Sequence, residues 1–359
     1  MKQRGFFSLS EHLERISEDG DPLEVLDTTV DFEYFRDWLV EGLGYGDGAR
    51  GGRPPFDPVS MFKALILQAQ HNLSDRRMEF MIRDRLSWMR FLDFDIGGPT
   101  PDENTIRLFR NKLTEAGTLK RVMKAFDWQL HKKGYIPMSG QIVDASLVPA
   151  PKQRNTDPEK EAVKAGKTAA EIWPDKPNKA VQKDVDARWT LKVGGKVRYR
   201  PDGTPLPQIA TPTFGYKSHI SIDRCYGFIR GQTVTSAAAP DGRQLRHLIT
   251  TENTSGEVWA DSAYRSQSNE KWLAQKMLIS RIHRKKPKGK PMPKATARAN
   301  AKKSSIRARV EHVFAHQKNR FGLFIRTIGL KRAEAKLTLA NLAYNMDRLV
   351  FHERRAATE

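Results

Sequence analysis

Gln141-Ile142-Val143-Asp144-Ala145-Ser146 is the stretch on which the reading of this chain turns. Upstream of it, apolar residues recur at helical spacing. Here a short apolar run goes straight into an acid, as a buried strand does, and an alternating texture follows. The stretch Glu257-Val258-Trp259-Ala260-Asp261-Ser262-Ala263-Tyr264 repeats the arrangement, an apolar strand closed by an acid and followed by small residues. Carboxylates at the ends of adjacent parallel strands converge in the crevice where open α/β sheets bind ligands. Taken singly, each acid also reads as a turn former or helix cap.

Between the two stretches, Tyr216, Ser218, Ile220 and Ile222 alternate with Lys217, His219, Ser221 and Asp223, and a turn at 224–227 leads into a second strand over 228–235. This predicts a β-hairpin. A helix from Asp241-Gly242 to about 250, the strand ending at Asp261, a helix over 269–276 and a strand over 278–282 follow. The order strand, hairpin, helix, strand, helix, strand predicts a mixed α/β sheet with helices on its faces. Residues 150–212 are rich in Pro, Lys and Gly with little apolar periodicity, and read as a long, partly disordered insertion.

The N-terminal part is helical. Leu13, Ile16, Leu23, Leu26, Phe35, Trp38 and Leu39 are core candidates in short acidic helices over 9–43, which a Gly- and Pro-containing break at 44–58 ends. Asp57-Pro58 starts a helix with Met61, Phe62, Leu65, Ile66 and Ala69 on one stripe. Ser74 caps a helix carrying Met78, Met81, Ile82, Leu86 and Met89, and a third helix over 104–115 presents Arg107, Arg110 and Lys112. A fourth covers 119–132. The three helices that follow the break read either as a helix-turn-helix-like DNA reader or as a bundle with solvated charges. The chain thus divides into an acidic segment 1–55, a candidate for protein contacts, a helical N-terminal domain 56–135 for DNA end recognition, and a catalytic domain 136–359.

Composition narrows the function. A net charge of +20 on 359 residues points to a polyanionic partner. Residues 1–60 hold six Lys and Arg against thirteen acids, a balance of −7 that leaves +27 for the rest. An apolar run of about eighteen residues and a secretory leader are both lacking, and the single Cys225 fits a reducing cytoplasm, so a nucleoid-associated protein with no membrane role is expected.

Between Arg281 and Arg320 stand fourteen Lys and Arg residues and one acid, Glu311. A carboxylate repels phosphate, so one kept in such a stretch suggests a metal ligand. On a helical wheel, Ile306, Val313 and Phe321 fall near Val310, while Arg307, Glu311 and Lys318 share a stripe beside it. The bland alternative is an Arg307–Glu311 pair at i,i+4. If Glu311 joins Asp144 and Asp261, three carboxylates suit Mg²⁺ or Mn²⁺, with room for two ions about 3.5–4 Å apart serving in-line displacement at phosphorus.

The pieces Ile142-Val143-Asp144-Ala145-Ser146, Phe214-Gly215-Tyr216-Lys217-Ser218-His219, Trp259-Ala260-Asp261-Ser262-Ala263-Tyr264 and Arg307-Ala308-Arg309-Val310-Glu311 together resemble a bacterial insertion-sequence transposase of the DDE type, closest to insertion-sequence family five. The likeness runs from about 56 to 349 and includes Leu73-Ser74-Asp75-Arg76 and Pro101-Asp102-Glu103-Asn104-Thr105. The resemblance implies an RNase H-like catalytic core with Asp144, Asp261 and Glu311 as metal ligands. It also implies roles for Arg307, four before the last acid, and Lys318, seven after it. The family has a Tyr three before that Arg where this chain has Ser304, and Ser146 stands where a Thr is common.

The expected function is a DNA transposase that binds terminal inverted repeats, hydrolyses the ends and joins the 3′-hydroxyls to target DNA as a homodimer or larger synaptic assembly. The alternatives are an RNase H-like nuclease without strand transfer and a transposase-derived DNA-binding protein. Expected DNA contacts are Arg307, Lys318, Arg284, Lys285, Lys286, Arg110, Lys217 and Trp189, the last either stacking on a base or anchoring the insertion. His219 reads as touching DNA or facing water. His312 and His316 have zinc-pair spacing without an evident third ligand, and Asp184, Asp186 and Asp223 read as acids on solvated surfaces.

Overall fold

The structure is a computed structural model, and it describes residues 8–45, 54–193, 200–204, 206 and 210–358. Eight α-helices come first: α1 Ser8–Glu18, α2 Pro22–Thr29, α3 Arg36–Leu43, α4 Pro58–Gln70, α5 Asp75–Asp84, α6 Leu86–Phe91, α7 Glu103–Glu115 and α8 Thr118–Lys132. Their starts are written in the sequence. Asp57 accepts from the amides of Val59 and Ser60 ahead of α4, Ser74 from Arg77 ahead of α5, and Asp102 from Thr105 ahead of α7. Each of these caps satisfies amides that the first turn leaves unpaired.

Helix α4 is not the one-sided helix its stripe suggested. Every residue from Pro58 to Ala69 is buried, Lys63 included, whose amine reaches Asp27 at 2.8 Å and Asp93 at 3.2 Å. The cause is the chain's last helix, which lies across it. Nor does the break near residue 55, whose positions 46–53 fall outside the described residues, separate two cores. Leu26, Val30, Phe32, Phe35, Leu39 and Leu43 share one apolar cluster with Phe62, Leu65, Phe126 and Leu342. The acidic helices keep their charge outward and bury their aromatic side, so residues 8–45 are part of the helical body.

The remaining elements are β1 Gln141–Pro149, α9 Asp157–Lys164, α10 Ala169–Ile172, α11 Pro177–Gln182, β2 Arg188–Val193, β3 Ala210–Asp223, β4 Ile229–Ser236, α12 Leu245–Leu248, β5 Glu257–Trp259, α13 Gln267–Gln275, β6 Ile279–Ser280, α14 Lys294–Ala315 and α15 Leu330–Ala356. The sheet runs β2-β3-β1-β5-β6, with β4 also paired to β3. Strand β1 is antiparallel to β3, with Asp144 opposite Ile220, and parallel to β5, with Ile142 opposite Trp259. The mixed α/β sheet and hairpin read from the sequence are present.

The sheet buries both faces. On one, Ile142, Ile220 and Ile222 join the helical core together with Val310 and Val313 of α14. On the other, Val143 and Val258 pack with Leu245, Leu248, Tyr264 and Leu273. Helix α15, about 40 Å long at 1.5 Å per residue, touches α2, α4, α7 and α8 as well as β4.

The described part of 150–212 is folded. Thr156 with Glu159, and Thr168 with Glu171, form capping boxes that start α9 and α10. Glu159 also accepts from Trp173 Nε1 at 2.7 Å and Lys179 Nζ at 2.5 Å, which ties the short helices together by polar contacts. Strand β2 then extends the sheet along β3. Asp184 and Asp223, expected on solvated surfaces, are buried. Asp184 accepts from Tyr216 Oη and the amides of Asp186 and Ala187, and Asp223 accepts from the amides of Tyr226 and Phe228 in the hairpin turn. Each acid satisfies amides that a tight turn leaves unpaired, which is why neither faces water.

Candidate active site

Since Ile142 stands opposite Trp259 in the parallel pair, the acids two residues further on, Asp144 and Asp261, reach the same level, Asp261 just past the end of β5 but Asp144 within β1, which the sequence had closed at this acid and which instead continues to Pro149 along β3. Helix α14 packs on β1 and β5 and brings Arg307 and Glu311 to that level. Arg307 Nη1 lies 2.5 Å from Asp144 Oδ2 and 3.9 Å from Glu311 Oε1. Asp144 Oδ1 accepts from the amide of Ala145 at 2.9 Å, and Asp261 accepts from that of Ala263 at 2.7 Å, which starts the turn leading to Tyr264.

Asp144 is nearly buried, and its carboxyl is pushed up to about 6. Burial is the main cause and the charges of Asp261 and Glu311 add to it, while Arg307 and the Ala145 amide oppose them. All three acids therefore share one electrostatic field. The Tyr264 hydroxyl is buried without a hydrogen-bond partner, and its pKa is raised by burial and by Asp144, Asp241 and Asp261.

The donor set fits a divalent cation. Carboxylate oxygens are the hard ligands Mg²⁺ and Mn²⁺ prefer, and a guanidinium already stands between two of them. The arrangement is open, because the Glu311 side chain is 60% exposed. Among the described residues, the one trio with ligand atoms all within 4.8 Å is a different one, Asp127, His131 and Glu252. It sits beside the start of β1, where Gln141 donates to Thr250 O, and Arg230 pairs with Asp127.

The cations expected to meet DNA divide into two groups. Arg284, Lys285 and Lys286 are exposed on the segment after β6, and Asn300 of α14 bonds the Arg284 backbone in both directions. Lys318 lies on a π-helical turn, His316–Arg320, that extends α14. Burial and Lys192 lower its pKa against the pull of Glu311. The wheel therefore put Lys318 and Glu311 in one neighbourhood correctly, although the turn after α14 is wider than an α-helix.

The other group is engaged within the fold. Arg110 makes a two-pronged pair with Asp75, at 2.5 and 2.8 Å, and its side chain is 17% exposed. Lys217 Nζ donates to Ala239 O and Asp241 Oδ1, both at 2.8 Å. His219 is fully buried, against the expectation that it touches DNA or faces water. Its pKa falls to about 4 through burial and Lys217, which outweigh Asp241. It stands opposite Ala145, a residue whose side chain alternates away from that of Asp144, so the sheet covers it. Trp189 on β2 keeps both readings, since its ring packs 5.4 Å from Phe214 yet is 47% exposed. His316 contacts Asp347 at 3.2 Å while His312 is exposed.

Sequence reasoning gave no role to Tyr264, Asp241 or His283. His283 follows β6, donates its amide to Ala260 O, and has Ser304 Oγ 3.5 Å from its Nε2. Burial and the charges of Arg307 and Lys303 lower its pKa against Asp261, so it belongs to the site's surroundings. A lone His at the end of a strand within a basic run was the only signal. Ser304, standing where the resembled family has a Tyr, thus touches the edge of the site.

Residues 136–346 match the family model described as Transposase DDE domain, and residues 10–112 match the one described as Transposase domain (DUF772). The second match crosses residue 55, in agreement with the shared helical core. No solved structure matches the chain. The DDE domain carries an RNase H-like fold and uses divalent metal, in accord with the mixed sheet and the acids at its edge. Among the described residues, no helix is long and apolar enough to cross a membrane.

Proposed function

Since the chain belongs to the DDE-domain transposases, metal-dependent polynucleotidyl transferases acting on DNA, we propose that it is the transposase of an insertion sequence, of family five by its motifs. It binds the terminal inverted repeats through the helical N-terminal part, hydrolyses the phosphodiester at each end and joins the 3′-hydroxyls to target DNA. The observation that carries this reading is that Asp144, paired with Arg307, feels the charges of both Asp261 and Glu311.

Asp144, Asp261 and Glu311 would hold one or two Mg²⁺ or Mn²⁺ ions. When bound, such a pair lowers the pKa of the attacking hydroxyl and stabilises the leaving oxygen. The protein's own part is positioning. Backbone amides fix the carboxylates of Asp144, within β1, and Asp261, just past β5. Arg307 and Lys318 flank the scissile phosphate, and Arg284, Lys285 and Lys286 track the backbone further out. Two ends must be processed together, so a homodimer or larger synaptic assembly is proposed, with the acidic N-terminal helices as candidates for its protein contacts.

The test is a DNA fragment carrying the element end, incubated with the protein and Mg²⁺ or Mn²⁺, with cleavage and joining read separately. Joining of pre-cleaved ends supports a transposase. Cleavage without joining would favour the nuclease alternative, and neither activity with retained DNA binding would favour a transposase-derived binding protein.

A further inference from the structure

A cleft of about 210 Å³ lies between the helical body and α15, and none of the three acids lines it. Its walls bring together Arg110, Arg326, Arg332 and Lys336 with one carboxylate, Asp75. That carboxylate is already claimed by both prongs of Arg110. Arg326 has a neutral partner, Asn72 Oδ1 at 3.1 Å. Asp75 is thus the one countercharge that the four cations of the cleft share. The Thr327 hydroxyl, in the same wall, is buried with no hydrogen-bond partner.

Arg326 and Arg332 reach solvent at the cleft while Lys336 lies deeper, and like charges gathered there repel one another and raise a positive potential in it. Lys336 registers that field, since burial and the charges of Arg110 and Arg326 bring its amine down to about 8 against the attraction of Asp75. A buried group with unmet hydrogen bonding and uncompensated charge calls for a ligand that supplies both. A tetrahedral oxyanion does so, because its oxygens accept from the amine, the guanidinium and the hydroxyl together.

We propose that this cleft binds a phosphate group, with Lys336 and Arg332 as the charged donors and Thr327 as the hydroxyl donor, and with a phosphodiester of bound DNA as its source. The choice of DNA over free phosphate rests on the function proposed above. The site would anchor the backbone where α15 meets α4 and α7, at a cleft that the three acids do not line.

Two measurements on the full chain test this. The first is the thermal unfolding midpoint in inorganic phosphate against chloride at equal ionic strength, for the wild type, Lys336→Met and Arg332→Ala. The second is affinity for an element-end duplex across a salt series. Phosphate is expected to raise the wild-type midpoint by a few degrees and to have less effect on either variant. Arg332 is exposed, so its variant keeps the test valid if Lys336→Met folds poorly. Each variant is expected to bind DNA several-fold more weakly, with a salt slope shallower by about one. Phosphate stabilisation with unchanged DNA affinity would keep the site and make free phosphate its source. Stabilisation in a wild type that binds no DNA would keep the site and sink the proposed function. Equal phosphate response and equal DNA affinity in all three proteins would overturn the inference.

Discussion

Arg307 Nη1 touches Asp144 Oδ2 at 2.5 Å, so a cation of the protein's own occupies the carboxylate best placed to ligate metal. A divalent ion has to displace it. Charge-assisted hydrogen bonds contribute about 1.5–3 kcal/mol, so the pair opposes metal entry by roughly tenfold or more. Arg307→Gln is expected to bind Mn²⁺ about tenfold more tightly at pH 8 by calorimetry, while cleaving DNA more slowly. Equal Mn²⁺ affinity in both proteins would show that the guanidinium does not guard the site.

Asp144→Asn should lower metal-dependent cleavage by about a thousandfold or more while sparing DNA binding, and Asp261→Asn and Glu311→Gln should behave alike. The pH dependence follows from the carboxyl pushed up to about 6. Cleavage should fall as pH drops through that value, because a protonated acid is a poor ligand.

Stability should move the other way. The folded pKa of Asp144 is raised from 3.8 to about 6, so its contribution is fully present below the unfolded value and is lost as pH rises through about 6. At pH 8 the ionised group costs on the order of 2–3 kcal/mol. Without added metal, Asp144→Asn should therefore unfold at a higher temperature than the wild type at pH 8, and the difference should vanish near pH 4.

Arg110→Ala is expected to act on the fold. Removing it leaves Asp75 half-buried and without its charged partner, at a cost of about 3 kcal/mol. Burial alone would raise the Asp75 carboxyl, and the bonds from Arg110 instead hold it below its usual value. The variant's unfolding midpoint should drop by several degrees. An unchanged midpoint with weaker DNA binding would restore Arg110 to the DNA contacts.

Arg284, Lys285 and Lys286 are exposed, so their joint replacement by Ala should leave the unfolding midpoint unchanged. DNA affinity should weaken equally for specific and unrelated sequences, and the salt slope should become shallower by about three. Loss of sequence preference alone would contradict a backbone role.

The candidate site was legible in the sequence as far as apolar runs closed by acids announce it, although β1 runs past Asp144 to Pro149. Asp144 and Asp261 each end an apolar run, and Glu311 stands alone among cations, so the three acids could be named without coordinates. Short polar helices leave no such mark. Helices α9 and α10 are held by capping boxes and by Glu159 bridging Trp173 and Lys179, contacts that carry no apolar period. Arg110 and Lys217 looked like free cations because their acids, Asp75 and Asp241, lie 35 and 24 residues away and meet them only after folding. Tyr264 was invisible for a different reason, since a hydroxyl lacking a partner can be recognised only once its surroundings are closed.

Helix α15 gives the molecule a fixed internal measure. It packs on α2, α4, α7 and α8 and also on β4, and one apolar cluster continues from those helices into the sheet. On the proposed function, bases gripped by the helical body would be held at a constant offset from the three acids by a rod about 40 Å long. The break in each strand would then fall a set count of base pairs from the recognised sequence, dictated by a ruler that the chain itself supplies.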